Sequence, residues 1–406
     1  MHRSAHFSVH TVPALLCLVA FAQPVAFAQP EAFAQPEVFA QKGLVREGDR
    51  YRRDFYGTVP VGPDPRRLRV NAQGPVTVQA GQSSASKNFS YTVRVSVRAR
   101  TEAEASRVLQ RYAVQVGRQG GWLVLTTPRG PAISAVTVRA PRLDAVVIST
   151  SEGAVEAAGV DGPLEVDTVA GELRVDRIRG NCKLVTGGGD IRVGTVTGSL
   201  HCSSGAGRID VGTVRGAAVM ETVGGDIVAN DIGGTVRAET GGGGIHILKA
   251  GGAVTAGTGG GQIVVEKANG IVRARNMAGP VRVGAALGVQ CESGSGGIRV
   301  TNISGAMRVS TSLGSIIASL LGGTLGDSFL ATGNGDITVL IPSNVGVNIR
   351  AQNDMADSMR RISSDFPGVK VGRQGTRVVA EGPVNGGGPL LQISATVGTI
   401  FIKRQQ

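Results

Sequence analysis

The sequence predicts an all-β fold: a single-stranded β-solenoid (β-helix) with rungs of about 18 residues, an N-terminal β-rich section with one helix, and a C-terminal cap. Three observations support this. Glycine makes up 61 of the 406 residues, and over a long central segment it recurs at every ninth position. Residues 123–328 contain no Phe, Tyr or Trp. A thick globular core would need such large side chains, so this segment must bury itself in a thin aliphatic layer.

The nine-residue repeat runs from Gly171 to Gly288 with a glycine closing every unit. The second and fourth residues of a unit are apolar, as in Leu164 and Val166, and the third is mostly polar, as in Glu165. This alternation is typical of a half-buried strand, and the closing glycine indicates a turn in which φ is positive or two backbone segments approach closely. Glycine-rich endings occur in alternate units, so one rung contains two strands. Residues 163–340 would then hold roughly 10 stacked rungs.

The flanks complete the predicted organisation. Thr101 and Glu104 form a capping box that starts a helix, and this N-terminal section is expected to cover the first rung. The regular array should end near Asp327, which occupies an apolar position. A short helix is expected near residues 356–363, and residues 391–403 should close the last rung. The predicted segments are a signal peptide (1–22), an Ala/Gln/Pro-rich linker (23–42), the N-terminal section (43–145), the solenoid (146–344) and the C-terminal excursion with its closing rung (345–406).

Export is predicted from the first 22 residues. An apolar run over residues 12–22 follows a segment with Arg3 and ends at an A-x-A cleavage pattern, which repeats at residues 26–28 and 32–34. The run is too short to span a membrane, and no other segment of the sequence could, so no transmembrane segment is expected after cleavage. The expected location is the periplasm, the outer cell surface or the exterior. Cys182, Cys202 and Cys291 then lie in an oxidising compartment. The offset between Cys182 and Cys202 along their strands makes a disulfide awkward, so buried thiols are expected.

The repeat resembles the bacterial putative-adhesin β-solenoid family, an exported domain of unknown function. The resemblance lies in the pattern T-G-G-G-x-I at residues 186–191, 240–245 and 258–263. It also lies in the lead-in VTVRAPRLDAVVISTSEGAVEA and the close TGNGDITVLIPSNVGVNIRAQ, and it covers about residues 60–403. It implies an exported, non-catalytic solenoid, and the family supplies no catalytic residues to carry over.

No catalytic residue, metal site or cofactor is predicted. His201 and His246 fall at outward third positions, with no sign of the carboxylate partner that a catalytic base needs. Asp190, Asp226 and Asp336 follow their turn glycines by one residue, whereas the calcium-binding β-roll places its aspartate two residues on. An aromatic-free solenoid also lacks stacking platforms for sugars or single-stranded nucleic acid, so no nucleic-acid partner is expected.

Charge points to one candidate binding surface. The chain carries a net charge of +12, which indicates either an anionic partner or the arginine-rich composition of a high-GC genome. Arg282 and Arg299 are predicted on one face, one rung apart, and Arg273 and Arg308 on the opposite face, two rungs apart. An anion could bridge such stacked arginines, although a solvated polar face is the simpler interpretation. The candidate partners are an anionic glycan, lipopolysaccharide or another envelope protein, and the oligomeric state is left open.

Three functions remain after these considerations. The leading hypothesis is an exported, non-catalytic, adhesin-like or interaction scaffold at the cell envelope. The second is an enzyme, a lyase or hydrolase that acts on anionic polysaccharide, because such enzymes also use β-helices. The third is a self-assembling structural rod, because stacked rungs could continue end to end if the caps were displaced.

Overall fold

The computed structural model describes residues 40–41, 43–60, 66–81, 88–322, 325–354 and 361–405. Within these residues the chain forms two large sheets and a single helix, α1 (Glu102–Gln110). The predicted all-β solenoid is therefore confirmed. The predicted signal peptide and nearly all of the predicted linker lie outside the described residues.

The strands before the regular repeat belong to both sheets. They are β1 (Ala40–Gln41), β2 (Val45–Glu47), β3 (Arg50–Pro60), β4 (Arg67–Ala72), β5 (Val76–Ala80), β6 (Asn88–Arg98), β7 (Gln115–Gln119), β8 (Trp122–Thr126), β9 (Ile133–Ala140), β10 (Ala145–Glu152) and β11 (Val155–Ala158).

The regular repeat supplies β12 (Leu164–Ala170), β13 (Leu173–Asp176), β14 (Cys182–Thr186), β15 (Ile191–Val196), β16 (Leu200–Ser204), β17 (Ile209–Val214), β18 (Ala218–Thr222), β19 (Ile227–Ile232), β20 (Val236–Thr240), β21 (Ile245–Ala250), β22 (Val254–Thr258), β23 (Ile263–Ala268), β24 (Ile271–Ala278), β25 (Val281–Val283), β26 (Gly288–Ser295), β27 (Ile298–Ile303), β28 (Met307–Leu313), β29 (Ile316–Leu320), β30 (Ser328–Asn334) and β31 (Ile337–Ile341).

The C-terminal strands are β32 (Val347–Asn353), β33 (Ile362–Ser364), β34 (Lys370–Gln374), β35 (Arg377–Val384), β36 (Leu390–Val397) and β37 (Ile400–Arg404). The predicted helix near residues 356–363 lies mostly outside the described residues, and its last two positions belong to β33 instead.

Successive strands of the repeat alternate between the two sheets. The even-numbered strands β12 to β30 pair in parallel in sheet 1, and the odd-numbered strands β13 to β31 pair in parallel in sheet 2. Twenty strands, two to a rung, give the ten rungs that the repeat predicts. Partners lie 18 residues apart, as Leu164 does from Cys182. One unit of the repeat has eight residues and not nine. It shortens one step between paired strands, so that Val272 pairs with Val289.

The core lies between the two sheets. Leu164 and Val166 are fully buried while Glu165 between them is exposed, and the same alternation holds in strand after strand. Each rung contributes only a few side chains per sheet to this core. They are aliphatic and not aromatic, because a layer this thin has no room for aromatic rings. Burial of apolar surface at about 25 cal/mol per Å² is the main stabilising contribution that such a layer can make.

The glycines stand where neighbouring rungs come into backbone contact. A Cβ added at Gly207 would overlap the carbonyl oxygen of Gly189, and one added at Gly225 would overlap that of Gly207. The carbonyl oxygens of one rung therefore lie in the space that the next rung's side chain would need. The prediction that the ninth residue marks a close backbone approach is confirmed at this corner.

A ladder of buried polar side chains lines the same corner of sheet 1. The Thr240 hydroxyl donates to the Gly225 carbonyl of the previous rung at 2.8 Å and accepts from the Gly243 N–H at 3.2 Å. The six members from Thr186 to Asn276 each bond both a glycine carbonyl of the previous rung and a turn N–H, and the other members bond carbonyl oxygens only. Ladder members are Thr150, Thr168, Thr186, Ser204, Thr222, Thr240, Thr258, Asn276, Ser293, Thr311 and Thr332.

At both ends of the stack, the order of the rungs differs from the order in the chain. Strands β4 and β5 pair with β10 and β11 on one side and with β8 and β9 on the other, so an earlier rung lies between two later ones. Likewise β36 and β37 lie between β30–β31 and β32–β33. The pairing therefore crosses the predicted boundaries at residues 145 and 344. The C-terminal strand, turn and strand are confirmed, but they form the penultimate rung of the stack and not the last.

The outer edges are covered by antiparallel strands. At the N-terminal end β9 pairs with β6, β6 with β3, and β8 with β7. At the other end β32 pairs with β35, and β35 with β34. The helix packs against this N-terminal cover through Ala105 and Leu109. The Thr101 half of the predicted capping box is confirmed by the bond from the Glu104 N–H to the Thr101 hydroxyl, but the Glu104 carboxylate accepts from the Arg100 N–H at 3.0 Å instead of the Thr101 N–H. These antiparallel strands block the parallel addition of a further rung, except at β33 of sheet 2, which pairs only with β37 among the described strands.

The regular 18-residue spacing ends near Asp327, as predicted, but the stacking of rungs continues. Arg308 pairs with Phe329 across a 21-residue step, and β30 and β31 extend both sheets. The Asp327 carboxylate accepts a hydrogen bond from the Leu390 N–H at 2.9 Å. A polar residue is therefore accommodated because it bonds the backbone of the inserted rung.

Candidate binding surface

Arg282 and Arg299 lie side by side on the outer face of sheet 2. They are direct partners in the pairing of β25 with β27, so their Cα atoms are about 4.8 Å apart. Val264 and Ile317 are the next residues on either side of the pair. Both guanidinium groups are exposed, and no carboxylate of the described residues lies within 4.0 Å of them. The predicted juxtaposition is present, and its charge is not neutralised by a neighbour.

Arg273 and Arg308 lie on the outer face of sheet 1 with Gln290 between them. Both side chains are exposed, and the Arg308 guanidinium sits 6.0 Å from the centroid of the Phe329 ring. Neither has a carboxylate within 4.0 Å among the residues that the structure describes. The neighbouring Arg275 differs, because its guanidinium pairs with Glu292 at 3.4 Å. The four predicted arginines thus form two separate pairs on opposite faces and do not converge on one site.

The earlier rungs carry paired charges at equivalent positions. Arg174 and Arg192 are direct partners on sheet 2, as Arg282 and Arg299 are, but both bond the Glu172 carboxylate. Lys183 pairs with Glu165 at 2.9 Å, and this contact raises the Lys183 pKa. Arg282 and Arg299 therefore lack a carboxylate partner because of their place in the later rungs, and not because every arginine at the third residue of a unit lacks one.

The turn aspartates Asp190, Asp226 and Asp336 bond the backbone. Asp190 accepts from the Arg208 N–H at 2.9 Å, Asp226 from the Gly244 N–H at 2.7 Å, and Asp336 from the Thr399 N–H at 2.7 Å. Each carboxylate thereby ties its turn to the next rung. Within the described ranges no three His, Cys, Asp or Glu side chains cluster as a metal site would require. His201 and His246 do point outward, and His246 lies 3.7 Å from Glu266.

The three cysteines are buried free thiols, as predicted. Burial raises the pKa of Cys182 to about 12 and that of Cys291 to about 12, and it raises the pKa of Cys202 well above its ordinary value. A nucleophilic cysteine needs the opposite shift and an exposed sulfur atom. These thiols therefore act as small apolar core residues.

Two shallow grooves, which the sequence reasoning did not identify, follow small residues at the fifth position of a unit. One groove, of about 490 Å³, crosses sheet 2 over Ala158, Gly194 and Gly212, with Asp176 beside Gly194. The other, of about 610 Å³, lies on sheet 1 at Gly257. Residues without a bulky side chain on an outer face are the sequence signal for such grooves. None of the four predicted arginines lines either groove.

Aromatic rings are present on the outer faces, beyond the aromatic-free segment. Trp122 and Phe329 lie half-buried on sheet 1, and Phe401 lies half-buried on sheet 2. The expectation that the solenoid lacks aromatic side chains for stacking is therefore wrong for the complete stack. It failed because the rungs at both ends incorporate strands from the flanking segments. No helix among the described residues has the length and apolar character needed to cross a membrane.

No family model matches the chain, and no curated protein matches it. Among solved structures, the chain is similar to a Bacteroides fragilis protein named a putative adhesin, at 16% identity and a TM-score of 0.28, over 65% of this chain and 95% of that chain. It is also similar to a Clostridium sporogenes protein named a putative cell adhesion protein, at 11% identity and a TM-score of 0.18, over 86% of this chain and 99% of that chain. Neither likeness indicates what this chain binds.

Proposed function

We propose that the protein is an exported, non-catalytic, adhesin-like scaffold of the cell envelope that binds an anionic glycan or lipopolysaccharide. The observation that carries this proposal is the pair Arg282 and Arg299, exposed on one face without a carboxylate partner among the described residues. Two parallel guanidinium groups can each donate to the same carboxylate, sulfate or phosphate. The apolar Val264 and Ile317 beside them would contact the less polar part of the ligand.

The chemistry of the remaining surface supports binding over catalysis. The buried thiols are not nucleophilic, and the turn aspartates are engaged with backbone N–H groups. The His246 ring lies 3.7 Å from the Glu266 carboxylate, which is too long for the hydrogen bond that orients a catalytic base. Export is inferred from the apolar run and the A-x-A patterns of the first residues. The scaffold would then act in the periplasm, at the outer surface or outside the cell.

The arginine pair is tested by the double substitution R282S/R299S. We expect binding to lipopolysaccharide or a polyuronate to weaken about tenfold or more, because two charge-assisted contacts are lost. Binding of the unaltered protein should also weaken as salt is added, because exposed charges are screened. The matched control is R174S/R192S, which removes the same charge from an equivalent pair already bonded to Glu172. Equal, salt-insensitive binding by all three proteins would refute the proposal.

Two further measurements address the alternative functions. Incubation with a panel of uronate-containing glycans tests for a lyase or hydrolase, and turnover of any one of them would contradict the non-catalytic scaffold. Sedimentation of the dilute protein tests for filaments. We expect none, because antiparallel strands cover the described ends of both sheets except at β33, which has only three residues.

A further inference from the structure

The chain's single tryptophan begins a strand on the outer face of sheet 1. In β8, Leu123 and Leu125 point into the core, so Trp122, Val124 and Thr126 point outward. The indole is half-buried, although this rung lies near the end of the stack, where the sheet is covered only by β7. A large aromatic ring on an outer face makes no contribution to the thin core, so the folding of the repeat does not explain it.

Two arginines of the neighbouring strand lie over this indole. Arg67 is the direct partner of Trp122 in the pairing of β4 with β8, and Arg69 follows two residues later on the same face. Their guanidinium carbons lie 5.8 Å and 5.1 Å from the ring centroid. These distances are within the range of cation–π attraction, so the ring holds both cations in place.

The charge of these two arginines is not neutralised by a carboxylate. Both are exposed, and within the described part of the chain no Asp or Glu side chain lies within 4.0 Å of either. Their partners on the other side, in β10, are Ala145 and Val147. The rings of Phe329, Phe366 and Phe401 each have one cation over them. Trp122 alone among the described rings has two.

A guanidinium group that stacks on an aromatic face keeps its N–H edge available. It can therefore donate to a carboxylate, sulfate or phosphate while it remains over the ring. Gln119, which pairs with Trp122 from the opposite side, is exposed and adds an amide that can donate or accept. The exposed part of the indole and Val124 provide apolar surface for the C–H groups of a sugar ring.

We propose that Trp122, Arg67 and Arg69 form a binding site for an anionic saccharide, with an oxyanion on the two guanidinium groups and the sugar ring against the indole. The site is separate from the arginine pair on sheet 2 and does not depend on it. It lies on the same face of sheet 1 as Arg273 and Arg308, near the opposite end of the stack. The oxyanion could belong to a uronate of a polysaccharide or to a phosphorylated glucosamine headgroup, and these two sources share the chemistry that the site recognises.

The chain offers a selective probe of this site, because Trp122 is the only tryptophan. Its fluorescence reports on this site and is insensitive to binding at Arg282 and Arg299 on the other sheet. The full-length secreted protein is titrated with a hexauronate, with detergent-dispersed diphosphoryl lipid A, and with maltohexaose as a neutral saccharide of similar length. We expect one or both anionic saccharides to change the Trp122 emission and to protect it from iodide quenching, and maltohexaose to have a much weaker effect.

The substitutions R67Q/R69Q test the role of the two cations. We expect the apparent affinity to fall about tenfold or more, because charge-assisted hydrogen bonds are lost while the side-chain stems remain. R67K/R69K should lose part of the affinity, because lysine keeps the charge without the planar fork. The control R107Q/R215Q removes the same charge from the helix and from a distant turn, and it should bind as the unaltered protein does.

The outcomes separate this site from the arginine pair. A response to the hexauronate alone identifies a polysaccharide source, and a response to lipid A alone identifies a phosphorylated headgroup; either supports the site. Calorimetric binding of these ligands without any change in Trp122 emission would overturn it, and so would equal affinity of R67Q/R69Q and R107Q/R215Q. A change in Trp122 emission that persists in R282S/R299S would support this site even if the sheet 2 pair fails its own test.

Discussion

Two regions of the solenoid share one backbone arrangement and differ in what their outer faces carry. In rungs 164–250, the Arg174–Arg192 pair shares the Glu172 carboxylate. In rungs 271–320, the Arg282–Arg299 pair has the same register, but Pro280 stands where Glu172 stands in the earlier unit. The comparison teaches that the fold is fixed by glycine, aliphatic and threonine positions, while the first and third positions are free to set the charge. Binding function can therefore vary from rung to rung without altering the stack.

The largest expected effect concerns the glycine corner, which both regions share. We expect G243A to destabilise the protein by about 3 kcal/mol or more. The new methyl group would overlap the backbone of Gly225, and neither of these two backbone segments can move aside within the stack. G296A, in the later region, should cost a similar amount because its Cβ meets the Gly279 backbone. Chemical denaturation of each variant measures the loss.

The adjacent Gly242 supplies the control for this prediction. A Cβ at Gly242 has no atom within 4 Å, so G242A should change the free energy of unfolding by less than about 1 kcal/mol. If G242A and G243A were equally destabilising, the loss would reflect glycine's flexibility and not contact between rungs. If G296A were tolerated while G243A was not, the two regions would not share one packing arrangement.

An intermediate effect is expected from the buried threonine ladder. T240V and T311V each remove a hydroxyl that bonds a glycine carbonyl of the previous rung, at 2.8 Å and 3.0 Å. The carbonyl is left buried without this donor, and we expect a loss of about 1–3 kcal/mol in either region. Thermal unfolding monitored by circular dichroism checks the size of the loss.

Serine at the same position keeps the hydroxyl and provides the matched variant. Ser204 already occupies a ladder position and bonds Gly189 at 2.9 Å. T240S should therefore retain most of the stability that T240V loses. Equal losses for the two substitutions would show that the methyl group, and not the hydrogen bond, stabilises the corner.

Much of this architecture was predictable because it is periodic. The nine-residue spacing predicted the strands, the alternating burial, the rung of two strands and the placement of Arg282 beside Arg299. The threonine ladder was not predicted, because a polar residue next to a glycine turn normally indicates exposure, and its burial depends on the carbonyl that the previous rung presents. The rung order at the ends was not predicted either, because a single insertion of one rung between two others leaves no periodic signal. Trp122 meets Arg67 and Arg69 only through that insertion.

The smallest expected effect tests the charge difference directly, by exchanging the residue that supplies the carboxylate shared by the earlier arginine pair. P280E places a carboxylate where Glu172 stands in the earlier unit, next to Arg282 and Arg299. We expect it to weaken the binding of a polyuronate several-fold, about 1 kcal/mol, because the arginines gain an internal partner that competes with the ligand. The arginines themselves remain, so the result separates loss of charge complementarity from loss of the side chains.

The reciprocal substitution E172Q should produce the opposite result. It leaves Arg174 and Arg192 without their shared carboxylate, although Arg192 keeps Asp190 at 3.4 Å. We therefore expect a second, salt-sensitive anion site on the earlier rungs that is weaker than the Arg282–Arg299 pair. Calorimetry would then show a higher stoichiometry for E172Q than for the unaltered protein, and the extra binding would disappear in E172Q/R174S/R192S. If neither E172Q nor E172Q/D190N gained binding, the register of two arginines would be insufficient, and Val264 and Ile317 beside the later pair would have to contribute to recognition.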